Sequence, residues 1–148
     1  MRLIDLGVDP FNFADAMLGI MAQRLTRTLC SACRSPHEPD DAEFAELARL
    51  YGAEEFASLG LKPGDGSEIC EAKGCDTCGH SGYKGRVALH EFLSGSDRLR
   101  SAIQERATAD QLRDIGKSEG MTTLLQDGIQ KVFGGRTDLK QVRAVCLR

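Results

Sequence analysis

The chain has 148 residues, 41% hydrophobic and 28% charged, a globular balance that excludes a disordered or fibrous chain and fits one compact domain or two small ones. No apolar run approaches the roughly 18 residues of a membrane span, and no basic stretch leads into an apolar one as in a secretory signal. The net charge of −3 is unevenly spread, +1 over residues 1–36, −8 over 37–76 and +4 over 77–148; the acidic middle opposes general nucleic-acid binding and reads most simply as a solvated face.

Met1 is followed at once by Arg2-Leu3-Ile4-Asp5-Leu6, which reads as the inside of a folded element, so the chain is expected to be a piece of something longer. Asp9-Pro10 opens the first predicted helix, with Asp9 as N-cap and Pro10 at the first helical position. Phe11, Ala14, Leu18, Met21, Leu25 and Leu29 follow at spacings of three and four, which predicts one long amphipathic helix of about 19 residues. Its Phe and Met side chains are expected in the core; the sharper reading is a face packed on another domain or subunit. Arg24 and Arg27 near its C-terminal end suit the helix macrodipole.

Pro36 and Pro39 bracket an extended link. Asp40 with Glu43 forms a capping box for a helix whose Phe44, Leu47, Ala48 and Tyr51 share one face and which Gly52 ends. Glu54 to Ser58 adds a helical turn, 62–66 is a turn, and Ser67 to Ala72 is a short strand. Four glycines between Gly74 and Gly85 forbid a long element there. Arg86 to Phe92 is read as a strand. Four short helices follow, capped by Ser96, by Thr108 with Gln111, by Thr122 and by Thr137. Each is about ten residues long and too short to stand alone, so they are expected to form one packed cluster. The predicted fold class is α+β, mostly α: a small zinc-knuckle domain with an inserted helix, then a cluster of short helices.

The six cysteines carry the most information. Four make two C-x-x-C pairs, Cys30/Cys33 and Cys75/Cys78. In a reducing compartment such pairs read as a metal site and not as disulfides. Each pair folds as a tight knuckle in which two sulfurs converge, and Gly79 suits the second turn because it tolerates positive φ. Four thiolates match the tetrahedral preference of Zn²⁺ and leave no open position for water, which argues for a structural ion. The inserted helix accounts for the long separation of the pairs. The alternatives are an iron–sulfur cluster and a thiol redox pair. Cys70 and Cys146 read as small buried residues; His37 and His80 lie close enough to replace a ligand; His90 reads as structural. No G-x-x-x-x-G-K-[ST] loop is present, and residues 79–86 are glycine-rich and basic with the wrong spacing for one. The chain shows no acid/base pair and no nucleophile with a histidine, so no catalytic apparatus is read in it.

Several stretches together resemble one family. Arg2 to Phe11 is similar to the segment that follows the nucleotide-binding core in the hexameric ATPases of type II secretion and type IV pilus assembly. Residues 22–33 resemble that family's run into its first knuckle. Gly74 to Arg86 resembles the second knuckle and its exit, continued by His90 to Leu93. Residues 120–128 and 137–142 resemble its C-terminal helices. The resemblance implies three segments: 1–29 as the end of a RecA-like ATPase core, 30–85 as the four-cysteine zinc domain, and 86–148 as a strand plus small helical domain. It implies that the Walker A loop, Walker B acid and histidine box lie upstream, so ATP and Mg²⁺ belong to the full-length protein and this chain is not itself catalytic. The zinc ligands carry over onto Cys30, Cys33, Cys75 and Cys78. Contacts to nucleotide or to a neighbouring subunit carry over onto Arg2 and Arg86. The implied partners are the rest of the ATPase, neighbouring subunits of a hexamer and an inner-membrane platform protein, reached from the cytoplasmic side. Glu43, Glu46, Glu54 and Glu55 on the acidic segment are candidates for a docking face. A free-standing zinc module binding nucleic acid is the competing reading, opposed by the acidic middle and the absence of Trp.

Overall fold

The structure, a computed structural model, describes residues 5–147. The elements in chain order are α1 (Pro10–Ala16), β1 (Gly19–Leu29), β2 (Ser35–His37), α2 (Asp41–Tyr51), α3 (Ala53–Ala57) and β3 (Ile69–Glu71). A 3₁₀ turn (Asp76–Cys78), β4 (Tyr83–Ser94), α4 (Asp97–Gln104), α5 (Ala109–Ser118), α6 (Leu124–Phe133) and α7 (Leu139–Cys146) complete the chain. The result is a small α+β fold with two two-stranded sheets, β1–β4 and β2–β3, the latter antiparallel with Pro36 opposite Cys70. None of the described helices is long and apolar enough to cross a membrane.

The chain divides into two compact units. The first comprises the residues up to Ala22 together with Glu91–Thr123. Its core is Ala14, Met17, Leu99, Ile103 and Leu112, contributed by α1 and its exit, α4 and α5. The first strand pair enters this unit through Gly95, whose N–H donates to Leu18 O at 3.0 Å. A Cβ on Gly95 would stand 2.6 Å from Met17 O, so the approach requires glycine.

The second unit comprises Gln23–His90 and the residues from Leu124 onward. Its core is Phe44, Leu47, Tyr51, Phe56, Ile69, Leu89, Ile129, Val132 and Val142. The capping box at Asp40 and Glu43 starts α2 with bonds of 2.8 and 3.1 Å, which orients Phe44, Leu47 and Tyr51 inward. Phe44, Tyr51 and Phe56 meet edge-on at 5.4 and 5.7 Å between ring centroids. Gln126, itself buried, donates to Tyr51 O at 2.9 Å and satisfies the C-terminal end of α2. Gly128 lets α6 close on α7, for a Cβ there would meet Val142 Cγ1 at 2.5 Å.

The structure corrects four expectations. The long amphipathic helix of about 19 residues expected from Pro10 onward, in segment 1–29, is not found: α1 ends at Ala16 and residues 19–29 are strand β1. Phe11, Leu18, Met21 and Leu25 are 50–86% exposed, so the stripe is not the core it seemed. Gly19, Thr26 and Thr28 weaken the helix, and pairing with β4 satisfies the backbone of the extended chain instead. Gly19 is needed there, because a Cβ would strike the Phe92 ring at 2.6 Å. The four C-terminal helices do not form one cluster: α4 and α5 belong to the first unit, α6 and α7 to the second. Thr137 is not the cap of α7; Asp138 accepts from Gln141 N–H at 2.9 Å, while the Thr137 hydroxyl is drawn inward to Arg27 O at 2.8 Å. The helix expected to start at a Thr122 cap begins at Leu124.

Candidate metal centre

The site lies in the second unit, where β1 runs out and β4 begins. Cys30 immediately follows β1, is 2% exposed, and donates its N–H to Gly82 O at 2.9 Å, just before β4. The chain then turns tightly, with Cys33 N–H and Arg34 N–H both donating to Cys30 O at 3.1 and 2.8 Å. The second pair is built the same way. Cys75 is extended, the 3₁₀ turn carries the chain to Cys78, and Cys78 N–H and His80 N–H return to Cys75 O at 3.1 and 2.9 Å. Gly79 closes this turn in the left-handed region at φ 59°, ψ 42°. His80 also sits at positive φ, 57°, and Gly74 at φ 109° could not carry a Cβ, which would lie 2.7 Å from His80 O.

Both turns aim their sulfurs at one point. The Sγ atoms of Cys30, Cys33, Cys75 and Cys78 all lie within 4.8 Å of one another. Three of the separations are 4.0 Å (Cys30–Cys75), 3.8 Å (Cys33–Cys78) and 3.8 Å (Cys75–Cys78). Sulfurs at about 2.3 Å from a tetrahedral ion stand about 3.8 Å apart, so the four fit such an ion. Amide N–H groups point at the sulfurs, Gly74 to Cys33 at 3.3 Å, Cys75 to Cys78 at 3.2 Å and Gly82 to Cys78 at 3.2 Å, where they would stabilise thiolate charge.

Crowding four thiols together splits their acidities. Burial, together with the neighbouring thiols of Cys75, Cys78 and Cys30, raises Cys33 to about 12 against the opposing Gly74 N–H. At Cys78 burial works upward too, but the N–H groups of Cys75 and Gly82 and the thiols of Cys33 and Cys75 outweigh it and bring it down to about 6. Cys75 also ends below the usual thiol value, burial being outweighed mainly by the N–H of Cys78 and the thiol of Cys33.

The histidines stay outside this cluster. His80 Nε2 pairs with Asp76 at 3.0 Å and His37 Nε2 with Glu43 at 3.4 Å, while His90 lies exposed on β4 with its N–H held by Asp127 at 2.8 Å. Cys70 stands on β3 and Cys146 ends α7, both half-buried. Arg86 is exposed on β4, on the face opposite the buried Val87 and Leu89. Arg2 lies outside the described residues. Within the acidic segment Glu43 is occupied by the α2 cap and Glu46 by Arg143 at 2.5 Å, while Glu54 and Glu55 are exposed.

Sequence reasoning missed the part played by residues 134–138. The Gly134-Gly135 pair signalled only a helix end; its bond to the first knuckle is a contact across more than 100 positions, Arg34 Nη1 to Gly135 O.

The profile of type II/IV secretion system proteins matches residues 1–144. The chain is 37% identical over 143 residues to the type IV pilus assembly ATPase PilB of Thermus thermophilus. It is 33% identical over 144 residues to type II secretion system protein E of Pseudomonas aeruginosa and 35% identical over 144 residues to type II secretion system ATPase E of Vibrio cholerae. Each match covers 97% of this chain but 15%, 26% and 26% of those proteins, so the chain spans about a quarter or less of their length.

Proposed function

The chain belongs to the type II/IV secretion system protein family, and on that premise we propose that it is the metal-stabilised portion of a secretion or pilus-assembly ATPase, in which Cys30, Cys33, Cys75 and Cys78 hold a structural zinc ion. The convergence of four sulfurs at tetrahedral spacing carries this reading. An ion held by four thiolates has no open position for water or substrate, so it supplies a cross-link and not a Lewis acid. ATP and Mg²⁺ are bound elsewhere in the full-length protein, and this portion hydrolyses nothing by itself. Segment 1–29 is the end of the ATPase core, 30–85 the zinc domain and 86–148 the strand and helical domain. Arg2 and Arg86 serve contacts to nucleotide or to the adjacent subunit; the exposure of Arg86 on β4 supports this role for it. The portion works at the cytoplasmic side of the inner membrane, where it helps organise a hexamer or passes ATP-driven motion to a membrane platform.

The test is elemental analysis of protein purified without added metal, with thiols counted before and after chelation. The expected result is one zinc per chain and four cysteines protected until the chelator is added. Absence of metal together with two fast-reacting cysteine pairs would overturn the site and bring the thiol redox reading forward.

A further inference from the structure

The loop joining α6 to α7, residues 134–138, is held by four hydrogen bonds whose partners all flank the cysteine pairs. Leu29 N–H donates to Arg136 O at 2.9 Å, and Thr137 Oγ1–H donates to Arg27 O at 2.8 Å; both partners lie on the strand that runs into Cys30. Arg34, next to Cys33, donates from Nη1 to Gly135 O. Tyr83, next to the Gly82 whose N–H faces Cys78 Sγ, donates its hydroxyl to Asp138 Oδ2 at 2.6 Å. The Arg27 guanidinium lies 4.4 Å from the Tyr83 ring centroid and braces it.

The loop has no slack with which to absorb a shift of these partners. Gly135 N–H and Arg136 N–H return to Val132 O and Lys131 O, both at 2.9 Å, as in a Schellman end to α6. Gly135 sits at φ 63°, and a Cβ there would lie 3.1 Å from Cys70 Sγ and 3.2 Å from Arg34 Nη1. Thr137 is fully buried, and Asp138 uses its other oxygen to start α7 at Gln141 N–H. One carboxylate therefore joins the exit of the second knuckle to the first turn of the last described helix.

We infer that metal occupancy and the docking of residues 134–138 are thermodynamically coupled, so that the metal-bound knuckles latch the α6–α7 loop and α7 behind it. The inference rests on the reading that the four cysteines bind a metal. Two knuckles 45 positions apart in sequence are held in one place by the ion, and the loop reads that place through both of them. Release of the ion frees the flanks, and the four bonds loosen with them. Linkage makes the effect reciprocal: a loop that grips its partners less well leaves the metal less tightly bound.

The test is a competition titration of zinc against a chromogenic chelator in the protein and four variants. Tyr83→Phe and Thr137→Val each delete one bond and are expected to weaken zinc binding about fivefold, the equivalent of one net hydrogen bond. Thr137→Ser, which keeps the hydroxyl, is expected to restore most of the affinity. Asp40→Ala removes a cap that takes no part in the four bonds to the loop and is expected to bind zinc as the parent does. Hydrogen exchange of the parent protein supplies a readout free of variants: on chelation the amides of Gly135 and Arg136 are expected to lose at least about tenfold more protection than those of Phe44 in α2 and of Gly52, which caps it. Folded Tyr83→Phe and Thr137→Val proteins with parental affinity would overturn the coupling, as would equal loss of protection in loop and α2. A parent protein that takes up no zinc at all would overturn both the coupling and the metal reading beneath it, and stoichiometric zinc with an indifferent loop would overturn the coupling alone.

Discussion

Removing the metal proposed for the four-cysteine site is the perturbation with the largest expected consequence. The cysteine pairs meet across 45 positions of sequence, as Cys30–Cys75 and Cys33–Cys78. An ion at their centre acts as a cross-link, and the chain-entropy treatment of a cross-link closing about 45 residues gives ~4 kcal/mol at 25 °C. That is a large share of the roughly 5–15 kcal/mol by which domains are stable. Little else fixes the second knuckle, since the only buried residue from Gly74 to Gly85 is Gly82. At roughly 2–4 °C per kcal/mol for a chain of this size, chelation is expected to lower the thermal midpoint by about 8–16 °C. The assay is a circular-dichroism melt under reducing conditions, with and without a strong zinc chelator. Cys30→Ser is expected to melt near the chelated parent and to be insensitive to the chelator. A verified metal-free protein melting within about 2 °C of the loaded one would refute the reasoning, because the knuckles would then be held by something other than the ion.

Leu89→Ala empties a fully buried position in the core of the second unit and is expected to cost about 2–5 kcal/mol in urea denaturation. Gly128→Ala improves helix propensity by about 1 kcal/mol but drives a methyl group into Val142 at an overpacking cost of about 1–3 kcal/mol, and net destabilisation of up to about 2 kcal/mol is expected in the same experiment. After chelation at pH 7, brief alkylation followed by peptide mass spectrometry is expected to label Cys78 before Cys33, since the former lies near 6 and the latter near 12. Arg86→Ala is expected to leave stability within about 0.5 kcal/mol, as an exposed strand residue should, while lowering ATP turnover of the full-length protein. A folded, fully active Arg86→Ala motor would remove that arginine from the nucleotide or subunit contact.

What the sequence could convey was chiefly local. Asp9, Asp40 with Glu43, Ser96, and Thr108 with Gln111 all cap helices as their spacing predicts, because each bond closes over three residues and owes nothing to the rest of the fold. The cysteine pairs were legible for the same reason: each C-x-x-C turn is a local structure, and two of them imply a meeting point. Residues 11–29 misled because spacings of three and four are also available to a chain that buries only Ala14, Met17, Thr26 and Leu29. The partner that makes β1 a strand lies more than 50 positions away, beyond any periodicity. Thr137 and Asp138 were equally able to cap α7, and only the distant carbonyl of Arg27 decided between them.

The placement of the four sulfurs bears on what such a site can do in a motor. β1 ends one residue before Cys30, and β4 begins one residue after Gly82, which accepts the Cys30 N–H and presents its own N–H to Cys78 Sγ. An ion bound by these cysteines therefore pins the end of one strand to the start of the other. It does so where the backbone is rich in glycine and no apolar core is at hand. Burial could not supply the same rigidity, because the hydrophobic cluster of this unit is assembled from α2, α3, β3, β4, α6 and α7 and leaves the knuckles outside it. On the function proposed above, a displacement arriving along the strands would reach the α6–α7 loop through the bonds of Arg27, Leu29 and Tyr83. For that proposed task a closed ion that performs no chemistry would suit better than an open one: exchange of a ligand for water would loosen the joint.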